Sequence, residues 1–283
     1  MSTARLARER ATLFLMQLAL VCVIAATLFI MGTVLFRGVP ALTWAMLTSL
    51  PTGGFYLGKG GGILNAIVGS VLLSIPATLL ATLVSLPVAT ALQTEYLPRS
   101  LARIVTVALD ILWGIPSIVY GVFGFLVMLA FGIGTSLLGG ILTLTFLMIP
   151  VMTRAMSEVI AATPLELKET AYAIGATKYE TMRHVILRQS FPGLVTAMML
   201  AFGRGIGDAA AVLFTAGYSD RIPRSLTDPA ASLPLAVFFQ LASPSPIVQQ
   251  RAYAAACVLM VIVLTISIGA RLLGSRARRF TIR

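Results

Sequence analysis

Apolar residues fall into six long runs, near residues 12–36, 63–92, 104–131, 137–157, 191–217 and 252–273. Each meets the need for about 20 apolar residues in a helix that crosses a bilayer. The pattern predicts an all-α, polytopic membrane protein: a single membrane domain over residues 1–283, with no soluble appendage and no convincing internal repeat. Between the fourth and fifth runs the pattern changes. Arg154, Glu158, Glu166, Lys168, Glu169, Lys178, Glu180, Arg183 and Arg188 crowd together there with His184, the only histidine. Thr163-Pro164-Leu165-Glu166 reads as an N-cap, a proline at the first helical position and a glutamate closing a capping box. The helix it starts should run to Ile174 and stop at Gly175, the residue type that tolerates a left-handed helix end. Thr177-Lys178-Tyr179-Glu180 repeats the capping signal and opens a second helix, expected to end before Pro192-Gly193. The prediction for residues 158–190 is therefore a rigid, charged elbow of two short helices joined at a glycine.

Composition agrees with the pattern. Apolar residues make up 58% and charged residues 11%, against about 25% charged in soluble domains. A net charge of +11 would suggest nucleic acid in a soluble chain, but here the cations sit at the ends of apolar runs. The N-terminal arm, the link near 93–103, the elbow and the C-terminal tail hold fifteen lysines and arginines; the opposite loops hold five. This asymmetry predicts both termini and the elbow in the cytoplasm. The first run is too long for the apolar region of a signal peptide and is expected to be a span. Cys22 and Cys257 both lie inside apolar runs and suggest neither a disulfide framework nor a metal site.

The outer link 38–61 contains a stretch, Val39 to Leu50 with Trp44, suited to lying along the membrane surface. The outer loop 218–250 carries Asp220, Arg221, Arg224 and Asp228 ahead of an apolar patch at Leu235–Leu241. That loop is either a plain connection or a docking surface for an external binding protein. Prolines 76, 87, 116 and 150 lie within or at the ends of runs, where neighbouring helices must repair the lost backbone bonds.

Arg204 is the main candidate for chemistry. It lies about 13 residues into its run, or roughly 20 Å at 1.5 Å per residue, and a charge there should face a protein interior or a water-filled path. Asp208, four residues on, falls on the same helix face, and Gly203 and Gly207 suit close helix contact. The pair is either a site or a helix clamp. A guanidinium matches the oxygens of an oxyanion, and a nearby carboxylate would keep the grip weak enough for release. Asp110 is expected to be a structural partner, of Arg103 or a helix end, and His184 a solvated surface residue. Gly53-x4-Gly58-Lys59 nearly matches a phosphate-binding loop, but Gly60 stands where Ser or Thr is required and no strand precedes it. No nucleotide site, cofactor or catalytic set is expected.

Glu169-Thr170-Ala171, three residues, then Gly175 resembles the Glu-Ala-Ala-x3-Gly loop of prokaryotic ABC-importer permeases, which docks onto the cytoplasmic ATPase. Where that pattern continues with Ile-x-Leu-Pro, this chain has Val185-Ile186-Leu187-Arg188. Further stretches are Gly61-Gly62-Ile63, Gly114-Ile115-Pro116-Ser117-Ile118-Val119-Tyr120-Gly121, Gly203-Arg204-Gly205-Ile206-Gly207-Asp208 and Leu213-Phe214-Thr215-Ala216-Gly217, followed by Ser225-Leu226 and Leu233-Pro234. As a set they resemble the PstA-type permeases of phosphate importers. The resemblance implies the ABC importer permease fold: six transmembrane helices and a cytoplasmic helix-turn-helix coupling loop. It implies a permease subunit moving inorganic phosphate across the cytoplasmic membrane, amid membrane lipid, with hydrolysis done by a separate ABC ATPase dimer. A second homologous permease and an extracytoplasmic phosphate-binding protein complete the implied assembly. Glu169, Ala171 and Gly175 would couple to the ATPase and Arg204 would line the substrate path, with Asp208 where the family usually has glutamate. The alternatives are the partner-type (PstC-like) permease, or a permease for sulfate, molybdate or tungstate. A membrane-tethered DNA-binding regulator is disfavoured, because spans abut the elbow on both sides and leave no linker to reach nucleic acid. An intramembrane enzyme lacks a paired acid–base set, since the one histidine lies in the elbow.

Overall fold

Two apolar helices, α3 (Leu64–Ala91) and α6 (Leu137–Ala161), form the centre of the computed structural model, which describes residues 3–52, 60–93 and 96–277. The face α3 turns inward is made of small side chains: Ala66, Gly69, Ser70, Ser74, Ala77, Thr78, Ala81, Ser85 and Ala89 are buried. Small residues let two backbones approach closely where lipid offers no hydrophobic drive to associate. From α6, Leu144, Met148, Met152 and Met156 fill the seam. Hydroxyls sew it: Thr145 Oγ1 donates to the Ala77 carbonyl at 3.4 Å and Ser85 Oγ to the Ile149 carbonyl at 3.2 Å. Pro76, Pro87 and Pro150 stay inside these helices without breaking them.

Five of the described helices are long and apolar enough to cross a membrane, and the pair α4 (Arg99–Gly114) and α5 (Ser117–Ala130) makes a sixth crossing if counted as one. The predicted run 104–131 is therefore not one straight helix. Its two halves meet at 99°. Ile115 is extended and precedes Pro116, which disfavours helical backbone before it and has no N–H to offer. Apolarity alone did not reveal this corner.

The fifth run also differs from expectation. Helix α7 (Leu165–Ala173) is followed by a short α8 (Lys178–Glu180), a π-helical turn (Thr181–Ile186) and α9 (Leu187–Gly207). The last three run on as one helix of 30 residues, Lys178–Gly207. The elbow's second helix thus does not end before Pro192, which lies inside α9. Nor does the span reach residue 217, because helix stops at Gly207 and residues 209–216 form turns. Non-helical backbone at membrane depth must be covered by protein, and glycines make the room. A Cβ at Gly121 would lie 2.7 Å from the Ala210 carbonyl oxygen, and one at Gly140 would lie 2.8 Å from the Ala216 Cβ.

The loop between α9 and the next helix seals the start of α6. Leu137 N–H donates to the Asp228 carbonyl at 2.7 Å, Leu138 N–H to the Leu226 carbonyl at 2.9 Å, and Gly139 N–H to Ser136 Oγ at 3.2 Å. These donors have no partner inside their own helix. Backbone N–H groups of Arg224 and Ser225 in turn hold the exposed Asp228 carboxyl below the ordinary carboxylate range. The apolar patch at Leu235–Leu241 belongs to α10 (Leu233–Leu241), whose Leu233, Leu235 and Ala236 are buried against α3 and α11 (Pro246–Ala277). The patch is thus partly core, with Phe238 and Leu241 left exposed.

Helix α1 (Thr3–Gly38) stands away from the bundle along most of its length. It is fastened near its C-terminal end, where Cys257 Sγ donates to the Val34 carbonyl at 3.1 Å and Arg37 Nη1 to the Tyr253 hydroxyl at 3.2 Å. A 3-10 turn (Val39–Ala41) and α2 (Trp44–Thr48) follow, with Trp44 exposed. The Gly53–Lys59 stretch, including the near match to a phosphate-binding loop, lies outside the described residues.

A close backbone approach in the bundle supplies a test. A Cβ at Gly69 would sit 1.9 Å from the Ala231 carbonyl oxygen, whereas one at Gly32 of α1 would meet nothing within 4 Å. Gly69→Ala should cost about 1–3 kcal/mol, as overpacking does, and lower the unfolding temperature of purified protein. Gly32→Ala should leave that temperature unchanged or raise it slightly.

Candidate functional site

Two places carry the candidate residues: the charged elbow, and the open face of α9 at its far end. In the elbow, α7 closes with paired backbone bonds. Ala176 N–H donates to the Ala171 carbonyl at 3.0 Å and Gly175 N–H to the Tyr172 carbonyl at 3.0 Å. This is the six-to-one and five-to-two pattern of a Schellman end, and Gly175 takes the left-handed conformation it needs, with φ +87°. Nothing lies within 4 Å of a Cβ placed there, so backbone conformation and not crowding selects glycine. Ala171 is buried against the following π-helical turn, so a small side chain lets α7 lie close to it. Glu169 stays exposed.

The two capping signals fare differently. Thr177 forms the full box: its hydroxyl accepts from Glu180 N–H at 3.3 Å, while Glu180 Oε2 accepts from Thr177 N–H at 2.9 Å. Thr163 caps nothing. Helix α7 starts at Leu165 with Pro164 in the cap position, and the Thr163 hydroxyl bonds to Ser190 Oγ at 2.9 Å. A partner distant in sequence competes successfully for it. A second tie was not legible in the sequence: Tyr96 Oη donates to the Lys178 carbonyl at 2.6 Å, fixing the link after α3 to the elbow. Leu165, Tyr172, Ile174 and Tyr179 are exposed beside Glu166 and Glu169, a mixed apolar and acidic surface. His184 is exposed, as expected.

Arg154, near the elbow end of α6, holds two carboxylates. Its Nη1 lies 3.7 Å from Asp110 Oδ1 and its Nε 3.3 Å from Glu158 Oε1. The partner of Asp110 is thus Arg154, not Arg103 or a helix end. The contact joins α4 to α6.

At the far end of α9 the expected Arg204–Asp208 pair does not form. The helix stops at Gly207, Asp208 is extended (φ −84°, ψ 117°), and its Oδ1 accepts from Ala211 N–H at 2.8 Å. The carboxylate caps the next turn because four residues no longer correspond to one turn of helix. Arg204 is exposed and makes no hydrogen bond or ion pair among the described residues. No Cβ at Gly203 or Gly207 would meet anything within 4 Å, so this glycine face packs on nothing within the described chain. The result is a bare guanidinium on an open, small-residue face, with Leu200 exposed one turn before it. Among the described residues no group of His, Cys, Asp and Glu is arranged to hold a metal ion.

Residues 81–279 match the profile of a family described as binding-protein-dependent transport system inner membrane component. The phosphate transport system permease protein PstA 2 of Mycobacterium bovis is 34% identical over 263 residues, covering 92% of this chain and 85% of the relative. The phosphate transport system permease protein PstA of Xylella fastidiosa is 30% identical, covering 85% and 83% of the two chains. Among solved structures, an inward-facing form of the MetNI methionine ABC transporter aligns with a TM-score of 0.63 at 20% identity, over 76% of this chain and 95% of that one. A likeness at that identity speaks for the fold alone.

The elbow geometry predicts its own failure. A side chain at a left-handed position costs about 1–2 kcal/mol, so Gly175→Val should loosen the end of α7 and speed tryptic cleavage at Lys178 and Arg183 in membranes. Gly175→Asn should stay close to the parent, because asparagine visits this conformation.

Proposed function

Because the chain belongs to the family of binding-protein-dependent transport system inner membrane components, we propose that it is a permease subunit of an ATP-driven importer of inorganic phosphate. The observation that carries this reading is the identity of 30–34% with phosphate permeases along most of the chain. The unpaired Arg204 agrees with it. A dehydrated phosphate needs a cation in place of its lost hydration, and a guanidinium offers paired donors to its oxygens. An arginine already held by a carboxylate would compete with its cargo. Here Asp208 is occupied by a backbone N–H, which leaves the guanidinium open.

The reading divides the work among subunits. Glu169, Ala171 and Gly175 form the surface that meets a cytoplasmic ABC ATPase dimer, with exposed Ile174 and Tyr179 as apolar contacts. This subunit hydrolyses nothing itself. The open face around Gly203, Arg204 and Gly207 meets a second homologous permease, so that phosphate passes between the two subunits. An extracytoplasmic phosphate-binding protein delivers the anion to the outer loops. Both termini and the elbow lie in the cytoplasm, on the charge asymmetry described above. Helix α6, 25 residues and thus about 37 Å long at 1.5 Å per residue, puts the elbow and the loop 224–230 on opposite sides.

Arg204→Gln should reduce phosphate uptake by at least about tenfold, equivalent to about 1.4 kcal/mol, while the complex still assembles. Asp208→Asn keeps an acceptor for Ala211 N–H and should leave assembly intact. Full uptake by the Arg204→Gln/Asp208→Asn variant would show the arginine to be only a packing element. Uptake of sulfate or molybdate in preference to phosphate would reassign the cargo.

Orientation has a separate test. In a variant without native cysteines, Thr177→Cys should react with an impermeant thiol reagent only from the cytoplasmic side and Ser243→Cys only from outside. Labelling of Thr177→Cys in intact cells would reverse the topology.

A further inference from the structure

Helix α5 runs beside α6 in the opposite direction: Gly124 faces Thr143, and a turn further along α5 Met128 faces Gly139, a turn back along α6. Helix α6 is long and apolar enough to cross the membrane, so α5 runs through the membrane with it. Helix α4 stands at 99° to α5 and therefore lies across the bundle rather than through it. The contacts at the two ends of this segment agree. Gln93, just after α3, donates through Nε2 to the carbonyl and the hydroxyl of Ser157, both at 3.5 Å, while Asp110 meets Arg154 at 3.7 Å. Ser157 and Arg154 are close together on α6, about 4.5 Å apart along its axis at 1.5 Å per residue. An upright α4 would rise about 17 Å between Arg99 and Asp110 alone.

The faces of α4 match that placement. At about 100° per residue, Arg99, Arg103 and Asp110 fall along one edge of the helix. Leu101, Ile104, Ala108 and Ile111 fall along the other, and both sets are exposed. Between the edges lies Leu109, the side chain that α4 buries, and α6 is the helix it packs on. Arg154 occupies the one acid of the polar edge, whereas Arg99 and Arg103 make no ion pair among the described residues. That edge is therefore a pair of free cations above an apolar face.

We propose that α4 is not half of a crossing but an amphipathic helix lying in the cytoplasmic leaflet, with Arg99 and Arg103 on the phosphate groups of anionic phospholipids and Leu101, Ile104 and Ile111 among their acyl chains. The choice of leaflet rests on the topology proposed above. Charge selects the occupant: two guanidiniums without acidic partners match anionic headgroups, and the opposite apolar edge matches hydrocarbon. Length agrees as well. Helix α5 has 14 residues and spans about 21 Å, against about 30 Å of hydrocarbon. A helix sunk about 5–10 Å into the interface makes up the difference.

The test uses the whole transporter in lipid nanodiscs, in a Cys22→Ser/Cys257→Ser background. Spin labels at Leu101→Cys, Ile104→Cys, Ala108→Cys and Ile111→Cys report depth from their relaxation by oxygen against a water-soluble nickel chelate. A helix lying in the leaflet gives four depths within about 5 Å, one turn of helix. A steady descent of about 15 Å from Leu101 to Ile111 is the behaviour of a crossing and overturns the proposal. A fluorophore at Leu101→Cys then compares quenching by doxyl-labelled phosphatidylglycerol and phosphatidylcholine at equal mole fraction. Phosphatidylglycerol should quench more strongly in the parent. The preference should fall about fivefold for each arginine replaced, in Arg99→Gln and then Arg99→Gln/Arg103→Gln, and should fade as salt rises. Equal quenching by the two lipids in the parent, which depends on no variant of either arginine, overturns the proposal. So does quenching by neither, which means that another protein surface covers this face. Thr177→Cys reacting only from outside overturns the choice of leaflet alone, because the depth pattern and the lipid preference do not depend on it.

Discussion

Every backbone N–H and carbonyl that enters the membrane must find a partner inside the protein, because hydrocarbon offers none. Most of this chain meets that demand with helix. The informative places are those where helix is abandoned, since each needs a specific substitute. At the start of α6 the substitute is the loop 224–230, which feeds its carbonyls to the first N–H groups. After Gly207 it is the Asp208 carboxylate on Ala211 N–H, together with a bed of glycines on α5 and α6. At Pro116 it is a tyrosine hydroxyl. The candidate residues cluster at these departures because there backbone or charge becomes available to something other than the fold.

The two ends of the Lys178–Gly207 helix meet opposite requirements. Its beginning is over-determined: a full capping box, a Schellman turn just before it and a tyrosine from the α3 link all converge. Its far end is under-determined, with Gly203, Arg204 and Gly207 facing open space. A charge on such a face is costly in lipid, which is why the proposed function seats a second permease across it. The long apolar α1, attached to its own bundle only near residues 34–38, has the same unfinished character.

The legible part of this fold was the part written in local chemistry. Runs of apolar residues gave the crossings, the change in pattern gave the elbow, and Gly175 and Thr177 occupy the conformations their residue types suggest. What escaped was decided by contacts distant in sequence or by the end of a helix. Thr163 has the same capping signature as Thr177, yet Ser190 claims its hydroxyl. Arg204 and Asp208 have helical spacing, yet the helix ends between them and the pairing with it. The corner at Pro116 is invisible to hydropathy, because both of its arms are apolar; only the proline hints at it. The stretch Leu235–Leu241 lies in a loop by sequence, yet it is helical, with Leu235, Ala236 and Gln240 buried and Phe238 and Leu241 exposed.

The absence of a break between the elbow and α9 has a mechanical meaning. A stiff rod converts a small rotation at one end into a large displacement at the other. From Lys178 to Arg204 the rod is about 39 Å long at 1.5 Å per residue, so a tilt of about 5° carries the guanidinium sideways by about 3 Å. That is the length of one hydrogen bond. A helix that ended before Pro192 would have put a joint in the rod and absorbed the motion there. On the proposed function, continuity would make grip and release of an anion at one surface a matter of a few degrees at the other.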